Sequence, residues 1–213
     1  MKTLTSIILV LFLGLNIATA QDTVYIYQSG SVVYKRAIVS VDSVIFYQSQ
    51  SQSKTLTIGQ SYQGGIIAYI LQPGDPGYSS SVQHGLIAAP SDQSTGIQWY
   101  NGSYITTGAT GTAIGTGMAN TNAIIVAQGA GIYAASICKA YNGGGYSDWY
   151  LPSKDELNEL YINQIAVGGF SNYHYWSSTE TSNFNAWGQA FGNGHQGGSL
   201  KHDTASVRAV RAF

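Results

Sequence analysis

A chain of 213 residues holds one sizeable domain, with room for a small appendage, and is long enough to bury a core. Only 9% of its residues are charged and the formal net charge is −1, whereas ordinary domains are about one quarter charged. That balance offers no phosphate-neutralising surface and excludes nucleic acid as a partner; the 26 glycines and 16 tyrosines argue for a loop-rich fold held by aromatic packing and hydrogen bonds, not a helical bundle.

In chain order, Lys2, an apolar run from Ile7 to Leu15 and the small residues Ala18-Thr19-Ala20 make residues 1–20 a signal peptide. The run is short for a membrane span, so the expectation is export, to the cell surface or secreted, with no transmembrane segment after signal removal. No cysteine stands at the cleavage point, and Cys138, the only cysteine, excludes an intramolecular disulfide. Residues 21–47 form a short β-rich segment: Thr23 to Tyr27 and Val32 to Ala37 read as a hairpin around Gln28-Ser29-Gly30-Ser31, and Val41 to Tyr47 as a third strand. Residues 48–54 are a polar Ser/Gln linker, and residues 55–213 the main domain.

Within that domain, residues 66–71 and 85–89 are apolar strands, the second stopped by Pro90. Residues 98–117, with five glycines, read as an ordered surface excursion of the kind that often carries function. Apolar spacing predicts one longer helix between Thr121 and Tyr141, capped by Asn120 or Thr121 and weakened by Gly129 and Gly131. A second, shorter helix is expected from Lys154. Pro152 pushes the preceding residue away from helical angles, Ser153 and Glu156 have capping-box spacing, and Leu157, Leu160 and Tyr161 share one face. Gly192-Asn193-Gly194 marks a hairpin turn, and Val207 to Phe213 a closing strand with alternating faces.

The runs WYLPSKDELNELY (149–161), YWSSTE (175–180), AWGQAF (186–191) and VRAVRAF (207–213), with Gly64-Gly65-Ile66-Ile67 and HGLIAAPSDQSTGIQW (84–99), resemble the Lcl C-terminal-domain family. This is a bacterial domain of unknown function that also ends a collagen-like surface adhesin. The resemblance spans residues 58–213. It implies an α+β, C-type-lectin-like fold, akin to the sulfatase-modifying-factor domains, with two helices and short antiparallel sheets on an exported protein, and it implies no known reaction. A closing strand that returns beside the first strand of the domain would suit the fold so implied. The adhesin suggests sulfated polysaccharide as ligand. That needs clustered cations, and Lys139, Lys154, Lys201, Arg208 and Arg211 are not adjacent, so weakly charged or uncharged glycans fit better. The family's WRLP stands here as Trp149-Tyr150-Leu151-Pro152, which removes a cation beside the helix start.

The spacings of known catalytic and cofactor motifs do not occur: no G-x-S-x-G, H-E-x-x-H, paired C-x-x-C or Walker lysine. The expectation is a non-enzymatic protein with no catalytic residues, cofactor or metal. His174, His195 and His202 have no ligand spacing and no calcium-loop pattern occurs. Cys138 reads as a small buried apolar residue, Trp149, Trp176 and Trp187 as core, Ser177, Ser178 and Thr179 as formers of a hydrogen-bonded turn, and Glu180 with Arg208 as a buried pair. Tyr, Ser, Gly and Asn make adaptable recognition surfaces. The candidate ligand-binding residues are therefore Trp99, Tyr100 and Tyr104 on the 98–117 loop, Tyr173 and Tyr175 on a second loop at 170–175, and His195. The expected partner is a glycan or a surface protein; the alternative is a structural subunit of a cell-surface assembly that binds no small ligand.

Overall fold

A computed structural model describes residues 23–28, 31–37 and 55–213; the expected signal peptide, the run 41–47 and the linker 48–54 lie outside the described residues. The chain divides into two compact units, Met1–Ser53 and Lys54–Phe213. In the first, β1 (Thr23–Gln28) pairs antiparallel with β2 (Ser31–Ala37), with a register irregularity between Ile26 and Tyr27.

The second unit mixes helices and sheets. Its small sheet has the order β11-β5-β4-β3, built from Val210–Ala212, Gly85–Ala88, Gly65–Ile70 and Ser61–Tyr62, every pair antiparallel. Its larger sheet runs β6-β10-β7-β8-β9, from Ser94–Gln98, Thr204–Val207, His174–Glu180, Asn185–Ala190 and Gln196–Leu200, and only the β10–β7 pair is parallel. The helices are α1 (Gly117–Gln128), α2 (Ala134–Ala140), α3 (Lys154–Ile162) and α4 (Gln164–Val167). One apolar cluster gathers Ile87, Trp99, Ile124, Trp149, Trp176 and Val207; a second gathers Tyr150, Leu157, Leu160, Tyr175, Phe191 and Val210. Each such side chain taken from water stabilises the fold by about 1.5–3 kcal/mol.

The start of α3 follows from its sequence. Ser153 Oγ accepts from Glu156 N at 3.3 Å, and the Glu156 carboxylate accepts from Ser153 N at 2.7 Å. Leu157 and Leu160 are buried and Tyr161 lies at the core edge. The Gly-Asn-Gly hairpin joins β8 to β9 in regular register.

Three expectations change. The single helix over 121–141 is two helices, and among the described residues there are four in all. Gly129 ends α1 at φ 71°, and Tyr133 starts α2, its hydroxyl donating to Gly129 O at 2.7 Å while its N–H donates to Ser136 Oγ at 3.0 Å. Asn120 and Thr121 lie inside α1, not at its cap. Second, the segment 207–213 is not one alternating strand. The chain leaves the large sheet after Val207 and enters the small one at Val210, beside β5 and not the first strand, and Val207 to Arg211 are all buried. Third, Ser177, Ser178 and Thr179 stand in the buried strand β7, not in a turn. Their hydroxyls donate to Trp187 O, Pro152 O and Gly111 O at 2.9, 3.2 and 2.8 Å, the side-chain-to-backbone bonding expected of them, used to tie a strand to its neighbours.

Candidate functional site

The 98–117 loop is irregular yet anchored along its length by buried side chains. Both Glu180 carboxylate oxygens accept from Thr107 N, at 3.0 and 2.9 Å, and one also accepts from Gly108 N at 3.1 Å. Lys201 Nζ pairs with the same carboxylate, donates to Ile105 O at 3.0 Å, and lies 4.5 Å from the Trp99 ring centre. Asn120 Oδ1 accepts from Gly111 N at 3.1 Å and Asn120 Nδ2 donates to Gly111 O at 2.6 Å, and Glu156 Oε1 accepts from Gly115 N at 2.9 Å. Buried charge and amide groups thus satisfy loop backbone that has no sheet partner. Burial pulls the Lys201 amine below its usual range, opposed by Glu180; burial pushes the Glu156 carboxyl up, opposed by its backbone donors.

Glu180 and Arg208 are both buried, but not with each other. Arg208 Nε donates to Asp92 at 2.6 Å, and its other nitrogens donate to Ala89 O, Gly168 O and Gly169 O. The expected Glu180–Arg208 pair is replaced by two pairs, Glu180–Lys201 and Asp92–Arg208.

On the outer side of the Lys201 anchor, three turns bring rings together. Tyr104 comes from the long loop, Phe184 from the β7–β8 turn, and His202 from the β9–β10 turn. Ring centres lie 4.9 Å apart for Tyr100 and Tyr104, 5.2 Å for Tyr104 and Phe184, and 6.2 Å for Tyr104 and His202. The Tyr104 hydroxyl bonds His202 Nδ1, Gln98 Nε2 donates to His202 O at 2.9 Å, and Lys201 N donates to Phe184 O at 2.9 Å. Tyr104 is 37% and Phe184 50% exposed, while Tyr100 packs against the core. His202 Nε2 lies 3.6 Å from Asp203 Oδ1 at the rim.

The six candidate residues do not form one site. Tyr100 and Tyr104 sit on this platform. Trp99 is fully buried beneath it, with Nε1 donating to Ser177 O at 2.8 Å, and so offers no ring to a ligand. Tyr175 is also fully buried, its hydroxyl donating to Asp92 at 2.8 Å; it is a core residue, not a contact residue. Tyr173, 73% exposed, and His195 lie at the other end of β7 and β8, where Phe191 N donates to Tyr173 O and Ala190 N to His195 O. The seven residues of β7 put about 20 Å between the two ends. Sequence reasoning missed Phe184 and His202; the available signal was a ring inside each of two polar turns, and nothing local says those turns meet the long loop.

At the Tyr173 end, His174 lies over Gly188, where a Cβ would overlap its imidazole, with Ser199 Oγ 3.4 Å from Nε2. Burial, then the charge of His195, lower its pKa, and Asp203 opposes. Among the described residues no three His, Cys, Asp or Glu side chains converge as a metal site, and no helix is long and apolar enough to cross a membrane. Cys138 is buried and its thiol is pushed well above the usual range by that burial, with Asp92 adding to it. Trp149 and Trp176 are fully buried; Trp187 is only partly so, with Lys154 Nζ 4.9 Å from its ring centre.

The family model described as the Lcl C-terminal domain matches residues 89–211, more than half of the chain and every segment that builds the platform. The chain belongs to the Lcl C-terminal domain family. No functionally curated protein matches it. Among solved structures it is similar to a fimbrial protein from Bacteroides ovatus, with 14% identity and a TM-score of 0.43, over 68% of this chain and 43% of that one. The chain thus spans less than half the length of that protein. As an Lcl C-terminal domain, residues 89–211 contain the two buried ion pairs as well as the exposed rings.

Proposed function

We propose that this protein is an exported, non-enzymatic binding module of the bacterial cell surface, with a C-type-lectin-like domain that recognises a glycan or a surface protein through the exposed rings of its long loop. The observation that carries this reading is a costly one: a buried Glu180–Lys201 pair is spent holding an irregular loop that presents Tyr104 to solvent. Desolvating two charges costs several kcal/mol unless the geometry is good, and loops fixed on a rigid scaffold are where recognition is concentrated. Membership of the Lcl C-terminal domain family supports a surface role. The buried carboxylates Glu156 and Glu180 are engaged by backbone and cationic donors, which suits structural work better than acid–base catalysis.

A glycan array probed with the purified full-length protein, together with capture on immobilised extracellular-matrix and envelope proteins, tests this. Saturable binding that weakens with Tyr104→Ala is the expected result. A second reading, a structural subunit of a surface assembly, is favoured by apolar side chains turned outward on α1, α3 and α4 and before α2: Val126, Ile132, Ile162 and Ile165, the last 96% exposed. Self-association in sedimentation velocity, with no binding on any array, would replace the first reading by the second.

A further inference from the structure

We infer that the platform of Tyr100, Tyr104, Phe184 and His202 is a subsite for the face of a neutral pyranose sugar, stacked on Tyr104 and Phe184 and hydrogen-bonded at the rim by His202 Nε2 and Asp203. This rests on the binding function proposed above and deepens it by naming the subsite and the class of ligand.

The rings come from three separate turns yet are tied to one another. Tyr104 is bonded to His202 Nδ1 through its hydroxyl, Phe184 is held by Lys201 N, and the loop behind Tyr104 is held by Lys201 Nζ and Glu180. A surface ordered before contact loses little freedom on binding. The electron-rich face of an aromatic ring attracts the weakly positive C–H groups on one face of a pyranose, as it does other positive edges. In the tautomer in which the Tyr104 phenol donates to Nδ1, the imidazole proton is on Nε2 and the rim offers a donor 3.6 Å from the Asp203 acceptor. Neighbouring hydroxyls of a sugar, each both donor and acceptor, match that pair.

The charges around the subsite favour a neutral ligand. Lys201, the lysine of the turns that build the platform, is buried against Glu180, and Arg208 and Arg211 are taken up by Asp92 and Asp148. Lys154 lies on α3 against Asp155 and Trp187, and Lys139 is on α2 beside Met118. Asp203, half exposed, is the charge at the rim. A sulfate or carboxylate placed over Tyr104 meets that carboxylate and no exposed cation of the turns that build the platform.

Saturation-transfer NMR on the full-length protein tests the assignment, with methyl β-galactopyranoside, methyl β-glucopyranoside and methyl α-mannopyranoside as probes and galactose 6-sulfate as the anionic contrast. At least one neutral glycoside should receive saturation at its ring C–H protons and bind more tightly than the sulfate. Tyr104→Ala and Phe184→Ala should each weaken it by about tenfold. Tyr104→Phe, which keeps the ring, should retain most of the affinity, and Tyr173→Ala, at the far end of β7, should retain all of it. Glycan binding that survives Tyr104→Ala and Phe184→Ala but is lost with Tyr173→Ala overturns the subsite and the long-loop route, and leaves standing only that the protein binds a glycan. Preference for the sulfated sugar overturns the ligand class alone. Silence from every sugar here and from every glycan and protein surface above removes both.

Discussion

Lys201 shows how much a single residue carries. Its amine is buried between the Trp99 ring, Ile105 O and the Glu180 carboxylate. Removing one partner of such a pair leaves the other charge buried and uncompensated. Lys201→Met should therefore cost about 3–5 kcal/mol in urea denaturation. The double variant Lys201→Met with Glu180→Gln should cost less than the sum of the singles, whereas Glu180→Gln with Arg208→Met should be additive within about 0.5 kcal/mol, because they sit in separate networks. The sequence makes clear that a carboxylate beside a Ser/Thr run and an arginine in an apolar segment need partners. It leaves open which cation meets which anion, since Lys201 and Arg208 both follow Glu180 at long range. Exposure is equally hidden: Trp99, Tyr100 and Tyr104 belong to one polar, glycine-rich run, yet Trp99 is wholly buried and Tyr104 is not.

Elements were most legible where their signals are local. Helix α3 begins where Pro152, Ser153 and Glu156 place it, because a capping box needs only residues three apart. Ser153→Ala should cost near the upper end of the range of about 0.5–2 kcal/mol for a lost cap, since Ser153 Oγ also donates to Ala113 O at 2.9 Å; thermal melts read the shift. The break between α1 and α2 was less legible. Two glycines in a helical pattern signal weakness, but that Tyr133 would close one helix and open the next depends on how its ring packs. Strand β7 gives a pH-dependent test. His174 is held below the usual imidazole range by burial and His195, so its contribution is present above the unfolded value and is lost as pH falls through the lowered native one. Melting temperature should hold above the ordinary imidazole value of about 6.5 and fall on acidification below it. His174→Gln should flatten that part of the curve; an unchanged slope would place the acid sensitivity elsewhere.

At the scale of the molecule, the last residues close the second unit. Val210 exchanges backbone hydrogen bonds with Tyr150 at 2.8 and 2.9 Å, Arg211 holds Asp148 and Gln63, and Phe213 pairs with Gly85. A protein ending at Ala209 should lose its cooperative thermal transition and near-ultraviolet circular dichroism, because a domain stabilised by about 5–15 kcal/mol does not survive loss of a strand that binds three segments. The family, the capped start of α3 and the Gly-Asn-Gly hairpin were legible in the chain alone, because each depends on residues close together or on motifs in order. Only the tertiary structure decided that the closing segment crosses between sheets, that Tyr173 and Tyr104 stand at opposite ends of β7, and that Phe184 and His202 join Tyr104. Those outcomes depend on which distant backbone amides a buried lysine, arginine or carboxylate can reach, and chain spacing does not encode that reach.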